Sequence, residues 1–262
     1  MERPDGLAGG TDIIRMTIFK HWRDGHGDEF VIDGVVLEAP NPPVSRSVRK
    51  SLQRHKYENA EAYLVRQLVR PGDAVLDLGA GLGLTSILAA KASGGGRVVA
   101  YEANPAIAPL AEKNARRNGV QVEIHNRAVA AKKGLCEFHL RRSFPASSFV
   151  ATAGSKKIQI EADAAQEVID EVRPDVILCD IEGIEREILV EGNLSSVQRL
   201  VVEVHPQIIG LQGVAECAQA LALAGLQLAP RLCFEQVLVF DRDGSSASIA
   251  PFPGKAGGKA TA

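Results

Sequence analysis

Two stretches of this 262-residue chain hold side chains suited to proton chemistry. Asp180-Ile181-Glu182-Gly183-Ile184-Glu185 places three carboxylates within six residues, directly after the strand-like stretch Asp175 to Cys179. Glu203 and His205, before Pro206, stand at the end of a second such stretch, Leu200 to Val204. An ionised carboxylate is acceptor-only, and a neutral imidazole accepts a proton near pH 7. Ligands in open α/β sheets bind at the carboxyl ends of the strands, which is where both groups fall. Helix capping by Asp180 and a purely structural His205 are the competing readings.

The element that must position these groups is Ala74 to Ala90, AVLDLGAGLGLTSILAA. Val75, Leu76 and Leu78 form a short aliphatic run around Asp77, as in a strand covered on both faces. Gly79, Gly81 and Gly83 leave bare backbone where the chain turns, and a helix opens near Leu84 with its free N–H groups facing the turn. A dinucleotide-binding G-x-G-x-x-G needs glycine at position 84, where Leu84 stands, and a phosphate-cradling loop needs Lys followed by Ser or Thr, which are absent. About 20 residues on, Val98 to Tyr101 reads as a second strand ending in Glu102, the place of a ribose-binding carboxylate in nucleotide-binding folds.

Around this centre, strands and helices alternate from Asp73 onward. Asn104-Pro105 is expected to open a helix to Asn118, and Val120 to Val129 to hold the third strand. Leu135 to Leu140 and Ile158 to Ile160 read as an inserted hairpin, and the loop Arg141 to Ser155, with Ser143, Phe144 and Phe149, as a candidate substrate lid. Ala164 to Val172 and Val214 to Leu223 read as helices, and Leu226 to Leu228 with Glu235 to Phe240 as a closing antiparallel hairpin. Ahead of the sheet, Ile13 to Phe19 and Phe30 to Leu37, with Asp33-Gly34 as a turn signal, read as an antiparallel hairpin cap. Asn41-Pro42-Pro43-Val44 reads as a linker, lacking the aromatic fourth residue that would stack on a base. Val44, Val48 and Leu52 mark an amphipathic basic helix, and a second helix runs from Tyr57 to Pro71-Gly72. The expected organisation is an N-terminal extension and cap over 1–56, a donor-binding domain over 57–243, and a disordered tail over 244–262.

The formal net charge of −2 gives no overall case for nucleic acid. No apolar run reaches the roughly 18 residues that span a bilayer, and the N-terminus lacks the apolar segment of a secretory signal, so a cytoplasmic location is expected. Cys136, Cys179, Cys217 and Cys233 are far apart, form no C-x-x-C pair and read as buried free thiols. No metal-ligand spacing is evident.

Over roughly residues 57 to 207 the chain resembles the FkbM family of S-adenosylmethionine-dependent methyltransferases. The resemblance is carried by YENAE at Tyr57, PGDAVLDLGAGLG at Pro71, YEANP at Tyr101, NRAV at Asn126, DIEGIE at Asp180 and EVHP at Glu203. It implies an α/β class I methyltransferase fold: a mostly parallel, Rossmann-like sheet with a C-terminal antiparallel hairpin and an N-terminal cap. It also implies methyl transfer from S-adenosylmethionine, commonly to a hydroxyl of a sugar or other small metabolite. Gly79, Gly81 and Gly83 are then expected to hold the methionine part of the donor, Glu102 the ribose, and Asn104 or Ala128 the region near adenine. Glu58, Asp77, Ala80 and Ala103 complete the expected donor set. Asp180 and Glu182 are expected beside the sulfonium and the acceptor, with His205 as the general base. An NAD(P)-dependent oxidoreductase, a nucleic-acid methyltransferase and a non-catalytic donor-binding module stay open as alternatives.

Overall fold

The computed structural model describes residues 27–140, 155–183 and 185–253. The expected Ile13 to Phe19 strand and the lid residues Ser143, Phe144 and Phe149 lie outside them.

Phe30 to Leu37 folds on itself. Strands β1 (Glu29–Ile32) and β2 (Val35–Glu38) pair antiparallel, and the turn residues Asp33 (φ 51°) and Gly34 (φ 77°) both adopt the left-handed conformation that a two-residue hairpin needs. Helix α1 (Arg46–Gln53) starts where the Ser45 side chain accepts the Val48 amide, and it buries Val48 and Leu52 under a basic outer face. Helix α2 (Asn59–Leu68) turns Ala62, Leu64, Val65 and Leu68 to the core. These residues join one hydrophobic cluster with Phe30, Ile32, Val35 and Leu37 from the hairpin. A fully buried leucine such as Leu37 or Leu52 contributes about 1.5–3 kcal/mol.

The central layer then builds by alternation. Strand β3 (Val75–Leu78) is buried at every residue and leads through the glycine turn to helix α3 (Leu84–Ser93). Strand β4 (Val98–Tyr101), helix α4 (Ala108–Arg117) and strand β5 (Glu123–His125) follow. Helix α4 begins later than expected, with Pro109 rather than Pro105 in its first turn, because Asn104 Oδ1 accepts the Ala106 amide at 3.0 Å and holds that stretch as a turn. Strands β6 (Ala128–Ala130), β7 (Gly134–Leu140) and β8 (Lys156–Ala164) leave the main layer and form an accessory three-stranded sheet in the order β6-β8-β7. Helix α5 (Ala165–Val172), strand β9 (Val176–Cys179), helix α6 (Glu185–Glu191), strand β10 (Arg199–Glu203) and helix α7 (Pro206–Leu223) return to it, and strands β11 (Gln227–Leu228) and β12 (Val237–Asp241) close it.

The seven-stranded order is β11-β12-β10-β9-β3-β4-β5. Strands β10, β9, β3, β4 and β5 run parallel, while β12 is antiparallel to β10 and to β11. This is the mostly parallel, Rossmann-like sheet with a C-terminal antiparallel hairpin that the sequence implied. The chain moves outward in opposite directions from β3 and β9, and crossovers on either side of that pair leave a crevice at the carboxyl ends of the strands.

Two expectations are corrected. The segment after Gly244, expected to be disordered, carries a 3₁₀ turn (Ser245–Ser248) held by the Ser246 amide donating to Asp241 Oδ2 at 2.7 Å. Further on, the Phe252 ring lies 5.6 Å from that of Tyr63. The cysteines carry free thiols, but Cys136 and Cys233 are only half-buried, unlike Cys179 and Cys217.

Candidate active site

At the end of β3 the chain curls around β4, and the Gly79 and Ala80 amides both donate to the Tyr101 carbonyl, at 2.9 and 3.0 Å. Gly79 has φ +98°, and a Cβ there would lie 2.0 Å from the Asp180 carbonyl oxygen. Glycine is therefore needed at this position so that the ends of β3 and β9 can meet. The Gly81 amide donates to Glu102 Oε2 at 2.8 Å, and the Asn104 amide to Glu102 Oε1 at 2.7 Å. Burial pushes the Glu102 carboxyl up to about 7, against these two amide bonds.

One pocket opens on this turn. Gly79, Gly81, Glu102 and Ala103 form one side, and Glu58, Asp180, Ile181 and Glu182 another. The accessory sheet supplies Ala128, Val129 and Phe138. Of the residues expected at the site, Glu58, Gly79, Gly81, Glu102, Ala103, Ala128, Asp180 and Glu182 line this one pocket.

Four expected donor residues are not among its lining. Asp77 accepts hydrogen bonds from Thr85 Oγ1 (2.8 Å) and Ser86 Oγ (2.5 Å), pinning the start of α3. Ala80 is fully buried, Gly83 packs its φ +85° backbone on Ala111 at the helix start, and Asn104 is occupied by its own turn. Conversely, sequence reasoning missed Tyr101, Arg127, Val129 and Phe138. Arg127 arrives through ion pairs with Asp163 (2.7 Å) and Glu161 on β8, a placement that no local pattern encodes.

Glu58 is the most telling member of the pocket. Its backbone is left-handed at φ 45°, a strained state for a non-glycine residue. Its Oε2 is buried without a hydrogen-bond partner among the described residues. Burial pushes its carboxyl well above the ordinary range, against a hydrogen bond from Tyr57. A buried acceptor lacking a donor fits a ligand that brings a cation, as the α-ammonium of S-adenosylmethionine does.

A second cavity, of about 580 Å³, adjoins the first and shares Glu58 and Asp180 with it. Glu61, Glu203 and Glu235 add carboxylates to its lining, and Lys56 is its only Lys or Arg among the described residues. His205 lines neither cavity. Its Nδ1 is hydrogen-bonded to the buried carboxylate of Glu185, and its Nε2 lies 3.8 Å from Asp180 Oδ1. Burial disfavours the charged ring, but the Glu185 hydrogen bond and the charges of Asp180, Glu185 and Glu203 outweigh it and raise the pKa to about 9. The residue expected as the general base thus lies behind Asp180, outside the lining of both cavities.

A family model described as "Methyltransferase FkbM domain" matches residues 77–216. Among curated proteins, the ribosomal protein L11 methyltransferase of Thermus thermophilus is 36% identical over 103 residues, covering 38% of this chain and 35% of that protein. That of Chloroflexus aurantiacus is 46% identical over 59 residues, covering 22% and 18%. The chain spans about a third or less of the length of these relatives. Among solved structures, magnesium protoporphyrin IX methyltransferase from Synechocystis PCC 6803 with bound SAM aligns at TM-score 0.45 and 18% identity, over 91% of this chain and 100% of that one. Ribosomal protein L11 methylase from Lactobacillus delbrueckii subsp. bulgaricus aligns at TM-score 0.41 and 17% identity, over 71% and 77%.

Proposed function

Because the chain belongs to the FkbM methyltransferase family, whose model matches more than half of it, we propose that this S-adenosylmethionine-dependent methyltransferase acts on a hydroxyl oxygen of a sugar or other small polyhydroxylated metabolite. The observation that carries the acceptor half of this reading is the 580 Å³ cavity that shares Glu58 and Asp180 with the donor pocket. Carboxylates accept hydrogen bonds from hydroxyl groups, and the amides of Asn59 and Gln236 on the same lining add donors and acceptors. A polyanion such as nucleic acid would meet like charge there.

The donor, when bound, supplies an electrophilic methyl on a sulfonium centre. The chain's own residues have the remaining work. Glu58 Oε2 takes the ammonium, and Glu102 offers the ribose hydroxyls the lone pairs that the Gly81 and Asn104 amides leave free. Ala103, Ala128, Val129 and Phe138 give adenine an apolar wall. Asp180, common to both cavities, accepts the hydrogen bond of the acceptor hydroxyl and takes its proton as the carbon–oxygen bond forms. Holding acceptor and methyl in line contributes most of the acceleration, and a positioned base adds roughly 10²- to 10⁴-fold. Burial pushes the Asp180 carboxyl well above its ordinary range, with Glu203 adding to the shift and the His205 ring behind it opposing it in part.

The test is donor turnover over a panel of sugars, small alcohols, amines and ribosomal proteins, with product mass located by mass spectrometry. A polyol methyl ether is the expected product. Turnover confined to amines or to protein lysines would overturn the hydroxyl assignment, and donor binding without turnover on any of them would overturn the assignment as an enzyme.

A further inference from the structure

We propose that Asp180, Glu203 and His205 form a divalent-cation site on the acceptor side of the donor pocket, taking an ion of the Mn²⁺ or Zn²⁺ class with coordination positions open toward the 580 Å³ cavity. Parallel pairing sets Val202 beside Cys179, so the next residues, Glu203 and Asp180, emerge side by side at the carboxyl ends of β10 and β9. His205 follows two residues later, and one ligand atom from each of the three lies within 4.8 Å of the others.

The orientation of the imidazole is the decisive geometry. Glu185, fully buried at the start of α6, engages Nδ1, and this leaves Nε2 as the nitrogen that faces Asp180. A carboxylate holding the remote ring nitrogen is the usual support of a metal-binding histidine, and the ion would take the place of the proton that the surrounding carboxylates otherwise hold on Nε2, releasing it to solvent. The 3.8 Å between Nε2 and Asp180 Oδ1 is too long for a hydrogen bond. It suits two ligands of one ion, since atoms each about 2.1 Å from a shared centre lie roughly 3–4.2 Å apart. An imidazole with two carboxylates selects a first-row transition ion over Ca²⁺.

A second observation points the same way. Glu58, on the wall of the same cavity, has Oε2 buried and without a partner among the described residues. Glu61 and Glu235 add further negative charge, and among the described residues Lys56 is the one Lys or Arg lining it. Among the described residues the lining is thus net negative, apart from Glu58 Oε2, which is the atom proposed above to take the donor's ammonium. The site is inferred independently of the acceptor. Any role in lowering the pKa of an acceptor hydroxyl rests on the function proposed above.

The full chain, stripped with EDTA, is titrated with Mn²⁺ by electron paramagnetic resonance and with Zn²⁺ by calorimetry, without donor or acceptor. The expected result is one ion per chain, bound at least tenfold more weakly by Glu203→Gln and Asp180→Asn. Glu235→Gln, which removes a charge from the same cavity but no ligand, is expected to change affinity less than threefold. Absence of stoichiometric binding of either ion, or equal losses in Glu203→Gln and Glu235→Gln, would overturn the site. His205→Ala is avoided because it leaves Glu185 buried and unpaired. Calorimetry with S-adenosylhomocysteine on the same stripped proteins reads the donor pocket separately, so the two proposals fail independently.

Discussion

The Gly81 amide donates to Glu102 Oε2 at 2.8 Å, so the acid proposed to meet the ribose also fixes the glycine turn. Glu102 holds its proton in the folded chain up to about pH 7, against an ordinary value of 4.5. Between these values the folded state carries a proton that the unfolded state has lost, so stability falls as pH rises through the window, by about 3 kcal/mol for this group. Glu102→Gln removes the titration. Urea unfolding of the donor-free protein between pH 4.5 and 7.5 is expected to show a shallower fall in the variant. Parallel pH slopes in the two proteins would refute the assignment.

Glu58→Ala removes the orphaned buried acceptor. Loss of a charge-assisted hydrogen bond costs about 1.5–3 kcal/mol, or roughly ten- to more than a hundredfold in affinity for S-adenosylhomocysteine. Calorimetry showing wild-type affinity in the folded variant would remove Glu58 from the donor site.

Gly79 and Gly72 separate conformational strain from collision. Both have positive φ, but a Cβ at Gly72 meets nothing within 4 Å, whereas at Gly79 it meets the Asp180 carbonyl at 2.0 Å. Gly72→Ala is expected to cost about 1–2 kcal/mol, and Gly79→Ala at least about 2 kcal/mol more, with loss of donor affinity. Equal denaturation midpoints would contradict the close approach of β3 and β9.

Asn114, fully buried on α4, accepts the Glu38 amide at 2.8 Å and donates to the Leu82 carbonyl at 3.0 Å. Asn114→Ala leaves both backbone groups without their partner and is expected to cost about 2–4 kcal/mol in chemical denaturation. Asn114→Asp, which keeps the acceptor but not the donor, is expected to recover part of that loss. A loss below about 0.5 kcal/mol in the alanine variant would show that water replaces the side chain.

The sheet was legible because its strands are covered on both faces: runs such as Val75–Leu78 and Val176–Cys179 have no exposed side to disguise them. That Gly79, Gly81 and Glu102 would share one pocket was legible for the same reason, since strand ends and glycines fix where the backbone turns. The placement of His205 was not, because its ring is held by Glu185, twenty residues away in sequence and brought to it by the packing of α6. Tyr101, Arg127 and Phe138 escaped because side-chain direction, and the pairing of β6 and β7 with β8, decide which residues reach the pocket. Asp77 reads from the sequence as a ligand contact because it is a carboxylate beside a glycine turn, yet its Oδ2 accepts both hydroxyls at the start of α3.

The clasp between β2 and α4 bears on where this protein can be cut. Asn118 joins Asn114 in it, accepting the Val36 amide at 3.0 Å and returning a bond to the Val36 carbonyl at 2.8 Å. Two asparagines on one helix thereby give a strand edge the partners that a neighbouring strand would otherwise provide. Phe30, Val35 and Leu37 seal the same apolar mass as Leu82 and Ile87 beneath the glycine turn. A chain begun at Tyr57 would keep every residue proposed to touch the donor and still lack the plug that shields the turn from water, so truncation or domain exchange at that boundary would yield a sticky, loosened binding turn in place of a minimal catalyst.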